Sequence, residues 1–443
     1  MKKFAAVLFS LLFCLSALSP AAEAAAYSPS FEVDAESVYL YNLDSDMMIY
    51  EKNADKRMQP AELAQIMTVI LTLENVPDLD SATVTMKGYI QDEMYRQNIS
   101  LGGIRLAGLL KDETLSVRKL LYAVMLPSAN EAATMLADYV GDGSVPYFVE
   151  LMNQKAAEIG AVNTHFTSPH GLPDPASYTT AYDMYLITRY AMELEGFSAL
   201  IEPQSYDGGP TNLHDSLIWS SSNKLIRTQS VYYNQSAFGV KSGYNAAEGA
   251  CIAAAAKKDG YTYLLVIFGA RGLDGTGQDL GSDAVFPVAN SLFDWAFDTF
   301  RVKTLVEKGK SFGEVPLKLA WGKDFVRLMG AESFTALIPD EIEPSSITFD
   351  LVLPGSVKAP VEQGQLIGEV KLVLAGEVIG RVGLVSAETV EVSRMLLLVD
   401  KLVGMTRSYW FKFIVVFLTV LIILYIILMI ARNRNRRRYR RRR

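Results

Sequence analysis

The chain has 443 residues, a formal net charge of −7 and 50% hydrophobic residues. Nine of its last twelve residues are arginines and two lysines follow Met1, so residues 4–431 alone carry a net charge of −18. An acidic body excludes binding to nucleic acid or anionic lipid through a general basic surface. The length is sufficient for two domains.

The N-terminus has the pattern of a secretory signal peptide. Lys2 and Lys3 precede an apolar run from Phe4 to about Leu18, and small residues follow up to position 26. We therefore predict that residues 1–26 are a signal peptide and that the body lies outside the cytoplasm. Once the signal peptide is removed Cys251 is the only cysteine left, which excludes an intrachain disulfide.

The first half of the body alternates between β-prone and helical patterns. Two β-prone runs around a polar turn predict a hairpin over 37–51. After Pro60 the apolar residues follow helical spacing on nearly every face, which predicts a helix buried in the middle of a domain. Ser116 is placed to cap a helix over 117–125, and a further helix is expected over 131–140.

The second half is richer in strands. Two apolar runs, 249–256 and 261–269, predict a hairpin, and Lys241 is expected just before its first strand at a sheet edge. From 300 to 398 short Val- and Leu-rich strands predict a small all-β domain. The uncharged run 413–431 and the aromatic residues before it predict a transmembrane helix over 410–431, with the arginines of 432–443 in the cytoplasm.

Three short motifs stand out against this background. Ser128 and Asn130 form a Ser-x-Asn sequence between two predicted helices, and Lys241, Ser242 and Gly243 form a Lys-Ser-Gly sequence beside the second hairpin. At the start of the buried helix stands Glu62-x-x-Gln65. Together with a Ser-x-x-Lys, the first two motifs would complete the three-part signature of penicillin-recognising serine enzymes.

The chain resembles the peptidase S11 family, the low-molecular-mass penicillin-binding proteins with D-alanyl-D-alanine carboxypeptidase activity. Further stretches that resemble the family lie at 50–55, 164–174 and 178–183. The resemblance implies an α/β (α+β) penicillin-binding or transpeptidase-like domain over 27–299, with an antiparallel sheet and a helical cluster. It also implies that the all-β segment is the family's C-terminal domain.

The resemblance further implies roles for the motif residues. Ser128 and Asn130 would relay protons and hold the substrate amide, and Lys241, Ser242 and Gly243 would bind the substrate carboxylate. Backbone N–H groups of Glu62 and Tyr244 would form the oxyanion hole. Glu62 and Gln65, however, stand where the family has its nucleophilic serine and basic lysine, and neither side chain can do that chemistry. Loss of the serine alone costs on the order of 10⁶ in turnover.

Other serines along the chain are candidates to replace the missing one. Ser116-x-x-Lys119 spells the motif, but Ser116 occupies a helix N-cap position. Ser221-Ser222-Asn223 imitates Ser-x-Asn within a stretch expected to be structural. Ser128 acting as nucleophile, with Lys241 or Glu62 as base, and Glu62 activating water both stay open.

We therefore expect a membrane-anchored protein of impaired or absent activity that binds a muropeptide or cell-wall partner. The alternatives are an active carboxypeptidase with a non-standard mechanism and a structural adaptor that acts through the β-domain. No cofactor, nucleic acid or metal is expected, and the three histidines are expected to be structural. Finally, we predict that the Glu62 carboxylate, at a helix N-terminus that favours anions, reaches toward Lys241 as a salt bridge and fills the place of the substrate carboxylate.

Overall fold

The computed structural model describes residues 28–440, so the predicted signal peptide lies outside the described residues. The chain divides into two compact units. The first runs up to Arg301 and also includes 337–341, and the second comprises 302–336 and everything from Ile342 onward.

The first unit is built on a five-stranded antiparallel sheet in the order β2-β1-β9-β8-β7. Its strands are β1 Ser37–Asn42, β2 Met47–Lys52, β7 Ala237–Asn245, β8 Gly249–Lys258 and β9 Tyr261–Ala270. Both predicted hairpins, β1 with β2 and β8 with β9, are present. Two small ribbons complete the strands of this unit: β3 Thr83–Thr85 with β4 Thr114–Ser116, and β5 Ser205–Asp207 with β6 Ile218–Ser220.

Eight helices belong to the described part of this unit. They are α1 Ala64–Asn75, α2 Gly88–Ser100, α3 Val117–Met125, α4 Asn130–Val140, α5 Val145–Ile159, α6 Ala181–Glu193, α7 Phe197–Ile201 and α8 Val285–Thr299. The buried central helix is α1, in which every residue from Ala64 to Thr72 is buried. Ser116 caps α3 as predicted, because its Oγ accepts the N–H of Lys119 at 3.4 Å.

The sheet separates two hydrophobic cores because side chains alternate between its faces. On β8, Ala253 and Ala255 pack with the helical cluster, whereas Ile252 and Ala254 pack with α8. Burial on both faces explains why β8 and β9 read as continuous apolar runs rather than as alternating ones. The sheet is thereby a rigid support for β7, its edge strand.

The second unit consists mainly of strands, as expected for a small β-domain. A six-stranded sheet has the order β14-β16-β17-β12-β11-β15. Its strands are β11 Ser311–Lys318, β12 Phe325–Gly330, β14 Thr348–Val352, β15 Val357–Lys358, β16 Leu366–Leu374 and β17 Glu377–Ser386. The remaining strands, β10 Phe300–Val306 and β13 Phe334–Pro339, form a two-stranded sheet.

Two helices follow the β-domain. The first, α9 (Arg394–Arg407), is absent from the sequence prediction; its N-cap is Ser393, whose Oγ accepts the N–H of Leu396. The second, α10, spans Tyr409–Arg440. Among the described residues it is the one helix long and apolar enough to cross a membrane, over Tyr409–Ile430, close to the predicted span.

Candidate functional site

The first motif lies on a turn that leads into α1. Residues Ala61–Leu63 form one 3₁₀ turn, in which Ala61 has a φ of +46°. Gly171 packs directly on this turn, and a Cβ added to it would lie 1.7 Å from the carbonyl oxygen of Ala61. Only glycine fits at such an approach, and its own φ of +78° favours glycine as well. The close contact holds the turn that carries Glu62.

The Glu62 carboxylate is bound at both of its oxygens. Oε2 accepts the backbone N–H of Tyr244 at 2.9 Å, and Oε1 lies 3.2 Å from Nε of Arg105. The predicted salt bridge to Lys241 is wrong: within residues 28–440 no ion pair joins these two side chains at 4.0 Å or less. Arg105 lies nearer and supplies the cation that Lys241 was expected to supply.

At this point the family resemblance leads us to expect an oxyanion hole formed by the backbone N–H groups of Glu62 and Tyr244. Gly243 has no side chain, and a Cβ there would lie 2.8 Å from Oε2 of Glu62 and 3.1 Å from its backbone nitrogen. The Glu62 backbone nitrogen therefore lies close to Gly243, beside the Tyr244 N–H. Oε2 of Glu62 lies close to the same point and accepts the Tyr244 N–H.

Gln65 lies where a lysine ammonium would be expected. It is fully buried, and its Nε2 lies 3.2 Å from each of three oxygens: the carbonyls of Ser128 and His170, and Oδ1 of Asn130. An amide has two hydrogens for these three acceptors, whereas an ammonium has three. Oε1 of Gln65 has no hydrogen-bond partner among the described residues. The surroundings therefore suit a lysine better than the glutamine present.

Lys241 and Ser128 are in direct contact. Lys241 precedes β8 and lies at the sheet edge, as predicted, but it lies in the middle of a strand of its own, β7, which was not predicted. Its Nζ donates to Oγ of Ser128 at 2.9 Å and to the carbonyls of Val124 and Met125 at 2.7 and 3.3 Å. All three ammonium hydrogens are thus used within the protein.

Lys241 is 1% exposed, and this burial is the largest influence on its pKa. Burial lowers the pKa of Lys241 well below its usual range. The negative charge of Glu62 raises that pKa and the positive charge of Arg105 lowers it. A lysine of lowered pKa beside a serine hydroxyl is a possible base and nucleophile pair.

Ser222 belongs to the site although the sequence assigned it to a structural stretch. Its Oγ lies 3.1 Å from Oγ of Ser128 and 3.3 Å from Oγ of Ser242, so the three hydroxyls and Lys241 form one chain of hydrogen bonds. The flanking Ser221 and Asn223 make local contacts as expected. No sequence motif identifies Ser222 as a site residue, because its contact with Ser128 joins residues 94 positions apart in the chain.

Arg105 is the second residue that the sequence analysis missed. It lies in the segment between α2 and β4, which Glu131 fastens to the helical cluster: Oε1 of Glu131 accepts the N–H groups of Ala107 and Gly108 at 2.6 and 3.0 Å. Nε1 of Trp219 donates to the carbonyl of Ala107 at 3.2 Å. Burial raises the pKa of Glu131 to about 7.

The serine of the apparent Ser116-x-x-Lys119 motif has a structural role. Its hydroxyl caps α3, and Nζ of Lys119 donates to the carbonyl of Pro210 at 3.2 Å. The lysine therefore does not point at the serine as a base would. The rejection of this pair as a substitute catalytic centre agrees with these contacts.

The histidines make hydrogen bonds of structural type. Nδ1 of His214 lies 2.8 Å from Glu113, Nδ1 of His170 accepts the N–H of Leu172 at 3.1 Å, and His165 exchanges backbone hydrogen bonds with Tyr178. Burial lowers the pKa of His170 to about 4. Over residues 28–440 no group of three or more His, Cys, Asp or Glu side chains could hold a metal ion.

Two family models match the chain. One, described as D-alanyl-D-alanine carboxypeptidase, peptidase S11, matches residues 22–272 and so more than half of the chain. The chain belongs to the peptidase S11 family. The other model, the C-terminal domain of penicillin-binding protein 5, matches residues 300–392. The resemblance seen in the motifs is thereby confirmed, and the family extends over both units.

Individual relatives agree with the family match. The D-alanyl-D-alanine carboxypeptidase DacC of Escherichia coli is 28% identical, over 86% of this chain and 90% of its own length. DacF of Bacillus subtilis is 26% identical, over 78% of this chain and 83% of its own length. Both alignments span most of the S11 and β-domain region.

Solved structures agree on the fold. Penicillin-binding protein 5 from Haemophilus influenzae matches with a TM-score of 0.60 at 24% identity, over 82% of this chain and 99% of that one. The Streptomyces K15 DD-transpeptidase matches with a TM-score of 0.53 at 27% identity, over 61% of this chain and 99% of that one. The penicillin-binding, transpeptidase-like fold is therefore shown.

Proposed function

We propose that this S11-family protein binds a peptidoglycan stem peptide or a cell-wall partner without turning it over by acyl-enzyme chemistry. One observation carries the proposal: Glu62 and Gln65 stand at the nucleophile and base positions, and the Glu62 carboxylate accepts the Tyr244 N–H at 2.9 Å. A carboxylate has no hydroxyl to acylate. It also holds an oxyanion-hole donor that a tetrahedral intermediate would need.

The retained residues favour binding over the loss of the whole site. Lys241, Ser128 and Asn130 keep the positions that the family assigns to substrate contacts, and each is buried. Burying a lysine is costly. Buried ionisable groups with a strongly shifted pKa occur at functional sites more often than elsewhere in proteins. We assign these residues to ligand recognition, with Ser242, Gly243 and Tyr244 beside them.

We further propose how the chain is divided into segments and where each segment lies relative to the membrane. Residues 1–26 are a signal peptide, 27–299 the S11 domain and 300–398 the β-domain. The span 410–431 crosses the membrane, and the arginines of 432–443 lie on the cytoplasmic side, since positive residues flank the cytoplasmic ends of such helices. The ligand is then met outside the cytoplasm, next to the membrane.

A second candidate is an active hydrolase that uses Ser128 as nucleophile and Lys241 as base. Their contact at 2.9 Å and the lowered pKa of Lys241 favour it. Against it, Ser128 is 0% exposed, and the Tyr244 N–H is already bound to Glu62. Catalysis by this pair requires both features to change when substrate arrives.

Covalent labelling separates the two candidates. The purified full-length protein in detergent is incubated with a fluorescent penicillin, and its intact mass is measured beside that of Ser128→Ala. The binding role predicts no adduct on either protein. An adduct on the wild type that disappears in S128A establishes the second candidate and overturns the first.

Calorimetry separates a cleft that binds from an adaptor that acts through the β-domain. A stem peptide ending in D-Ala-D-Ala is titrated into the wild type and into Ser242→Ala and Lys241→Met. Binding through the cleft predicts heat with the wild type that falls with each variant. Unchanged heat in both variants, or none with the wild type, assigns any cell-wall role to the β-domain instead.

A further inference from the structure

The contacts of Glu62 define a small anion-binding site that already has an occupant. One carboxylate oxygen meets a backbone N–H, and the other meets the Arg105 guanidinium at 3.2 Å. The Glu62 side chain is 13% exposed and the Arg105 side chain 30%, so the pair is only partly open to water. A charge-assisted contact of this kind is stronger than a pair on the open surface.

The backbone of Arg105 is anchored to the helical cluster, and its side chain is 30% exposed. Its carbonyl accepts the N–H of Asn130 at 3.0 Å, which ties it to the first residue of α4. Two residues further on, the segment is fastened by Glu131 and by Trp219. The anchored backbone keeps the Arg105 side chain near the site, which lowers the ordering cost of binding an anion there.

We infer that Glu62 is a tethered competitor for this site, and that a ligand carrying a free carboxylate binds between Arg105 and the Tyr244 N–H only by displacing it. The inference rests on the proposed function, since it adds a second anion site to the cleft of a non-acylating protein, separate from the carboxylate contacts assigned to Lys241 and Ser242. The ligand class is a peptide C-terminus or a small organic acid. Recognition comes from one cation and one backbone donor.

The tether explains why a free carboxylate does not win against Glu62 in the intact protein. A group on the same chain acts at an effective concentration in the millimolar range or above. Small carboxylates that bind weakly cannot match this at ordinary concentrations. Binding of a free carboxylate between Arg105 and the Tyr244 N–H should therefore be too weak to measure in the wild type. It should become measurable once the Glu62 carboxylate is removed.

The test titrates sodium acetate and N-acetyl-D-alanine into full-length protein in detergent. Glu62→Ala and Glu62→Gln remove the internal carboxylate, and Glu62→Ala with Arg105→Ala also removes the cation. Glu36→Ala is the matched control, because Glu36 forms an ion pair with Lys56 at 2.6 Å on the exposed surface. Thermal melts establish that each variant is folded, and E62Q keeps the side-chain volume if E62A unfolds.

We expect the acid to bind E62A about tenfold or more tighter than the wild type or E36A, with E62Q between them. The additional Arg105→Ala should abolish the gain. Equal binding to wild type and both Glu62 variants overturns the inference, as does a gain that survives loss of Arg105. A penicillin adduct on the wild type would refute the proposed function and leave this result standing, so the two failures are distinguishable.

Discussion

The backbone nitrogen of Tyr244 lies 2.9 Å from Oε2 of Glu62, across 182 residues of chain. We propose that this side chain, at the position of the family's nucleophile, fills the space where the family stabilises an oxyanion. Arg105 holds the other oxygen of the same carboxylate. In this proposal one substitution both removes the nucleophile and occupies the donor beside it.

The turn that carries Glu62 should depend on the absence of a side chain at Gly171. Gly171→Ala places a Cβ 1.7 Å from the Ala61 carbonyl oxygen, so we expect a loss of about 3 kcal/mol or more in the free energy of unfolding. Gly143→Ala is the matched control: Gly143 has a φ of +88°, but no atom lies within 4 Å of the position that a Cβ would take there. It should lose only about 1 kcal/mol.

Chemical denaturation of both glycine variants, followed by circular dichroism, measures the difference. The gap between them reports the clash at Ala61, because the cost of the left-handed backbone is common to both. If G171A is no less stable than G143A, the turn relaxes freely and is not held by this contact.

Ser116 should contribute to stability and not to chemistry. Ser116→Ala removes the N-cap of α3 and should cost about 1 kcal/mol. Ser144→Ala, which removes the N-cap of α5, should cost a similar amount. In a background restored by Glu62→Ser and Gln65→Lys, S116A should leave penicillin labelling unchanged. If adding S116A to this restored background abolishes labelling, the Ser116-x-x-Lys119 pair is the reactive one.

The buried carboxyl of Glu131 predicts a pH dependence of stability. Burial raises its pKa from 4.5 to about 7 in the folded protein. Between these values the folded state keeps a proton that the unfolded state has lost, so stability falls as pH rises from 4.5 to 7. Glu131→Gln removes this dependence. The stability of the wild type relative to E131Q should therefore fall by roughly 3 kcal/mol across the window.

Urea denaturation at several pH values measures this difference, and Glu113→Gln is the control. Burial opposes ionisation of Glu113, but hydrogen bonds from Thr211, Leu110 and His214 outweigh it and lower the pKa of its carboxyl. The ionised Glu113 carboxylate therefore stabilises the folded state above the ordinary carboxyl pKa, and this stabilisation is lost as the pH falls below it. E113Q should therefore show no relative change between pH 4.5 and 7. If the difference in unfolding free energy between the wild type and E131Q stays constant from pH 4.5 to 7, the role of Glu131 is refuted.

The C-terminal helix should hold the protein in the membrane. A chain truncated after Ser408 lacks the apolar span Tyr409–Ile430 and should be released from membranes by sodium carbonate. A chain truncated after Ile430 keeps the span and should remain in the pellet with the full-length protein. Retention of the shorter chain in the carbonate pellet would show that the anchor lies elsewhere.

Local features of the fold were predictable from the sequence. The helix Val117–Met125 begins and ends as predicted, because a serine cap and a following proline mark both of its ends. The hairpin of β8 and β9 follows from two apolar runs around a polar turn. The helix Arg394–Arg407 was missed, since it directly precedes the apolar span and its own apolar residues resemble the strands before it.

The partners of the site residues were less predictable. Electrostatic reasoning favoured Lys241 for Glu62, yet Lys241 is occupied by Ser128 and two carbonyls, and Arg105 lies closer. Ser222 and Arg105 belong to no motif, and each reaches the site through contacts between distant parts of the chain. A sequence pattern identifies residues that share a local element, but not those that only the tertiary fold brings together.

The most direct test of the account compares penicillin acylation of the wild type with that of Glu62→Ser combined with Gln65→Lys. The three acceptors around Gln65 match the three hydrogens of an ammonium, and a serine at 62 frees the Tyr244 N–H. We predict no adduct on the wild type or on either single variant, and a stable acyl adduct on the double variant. An adduct on the wild type, measured by intact mass, would contradict the account.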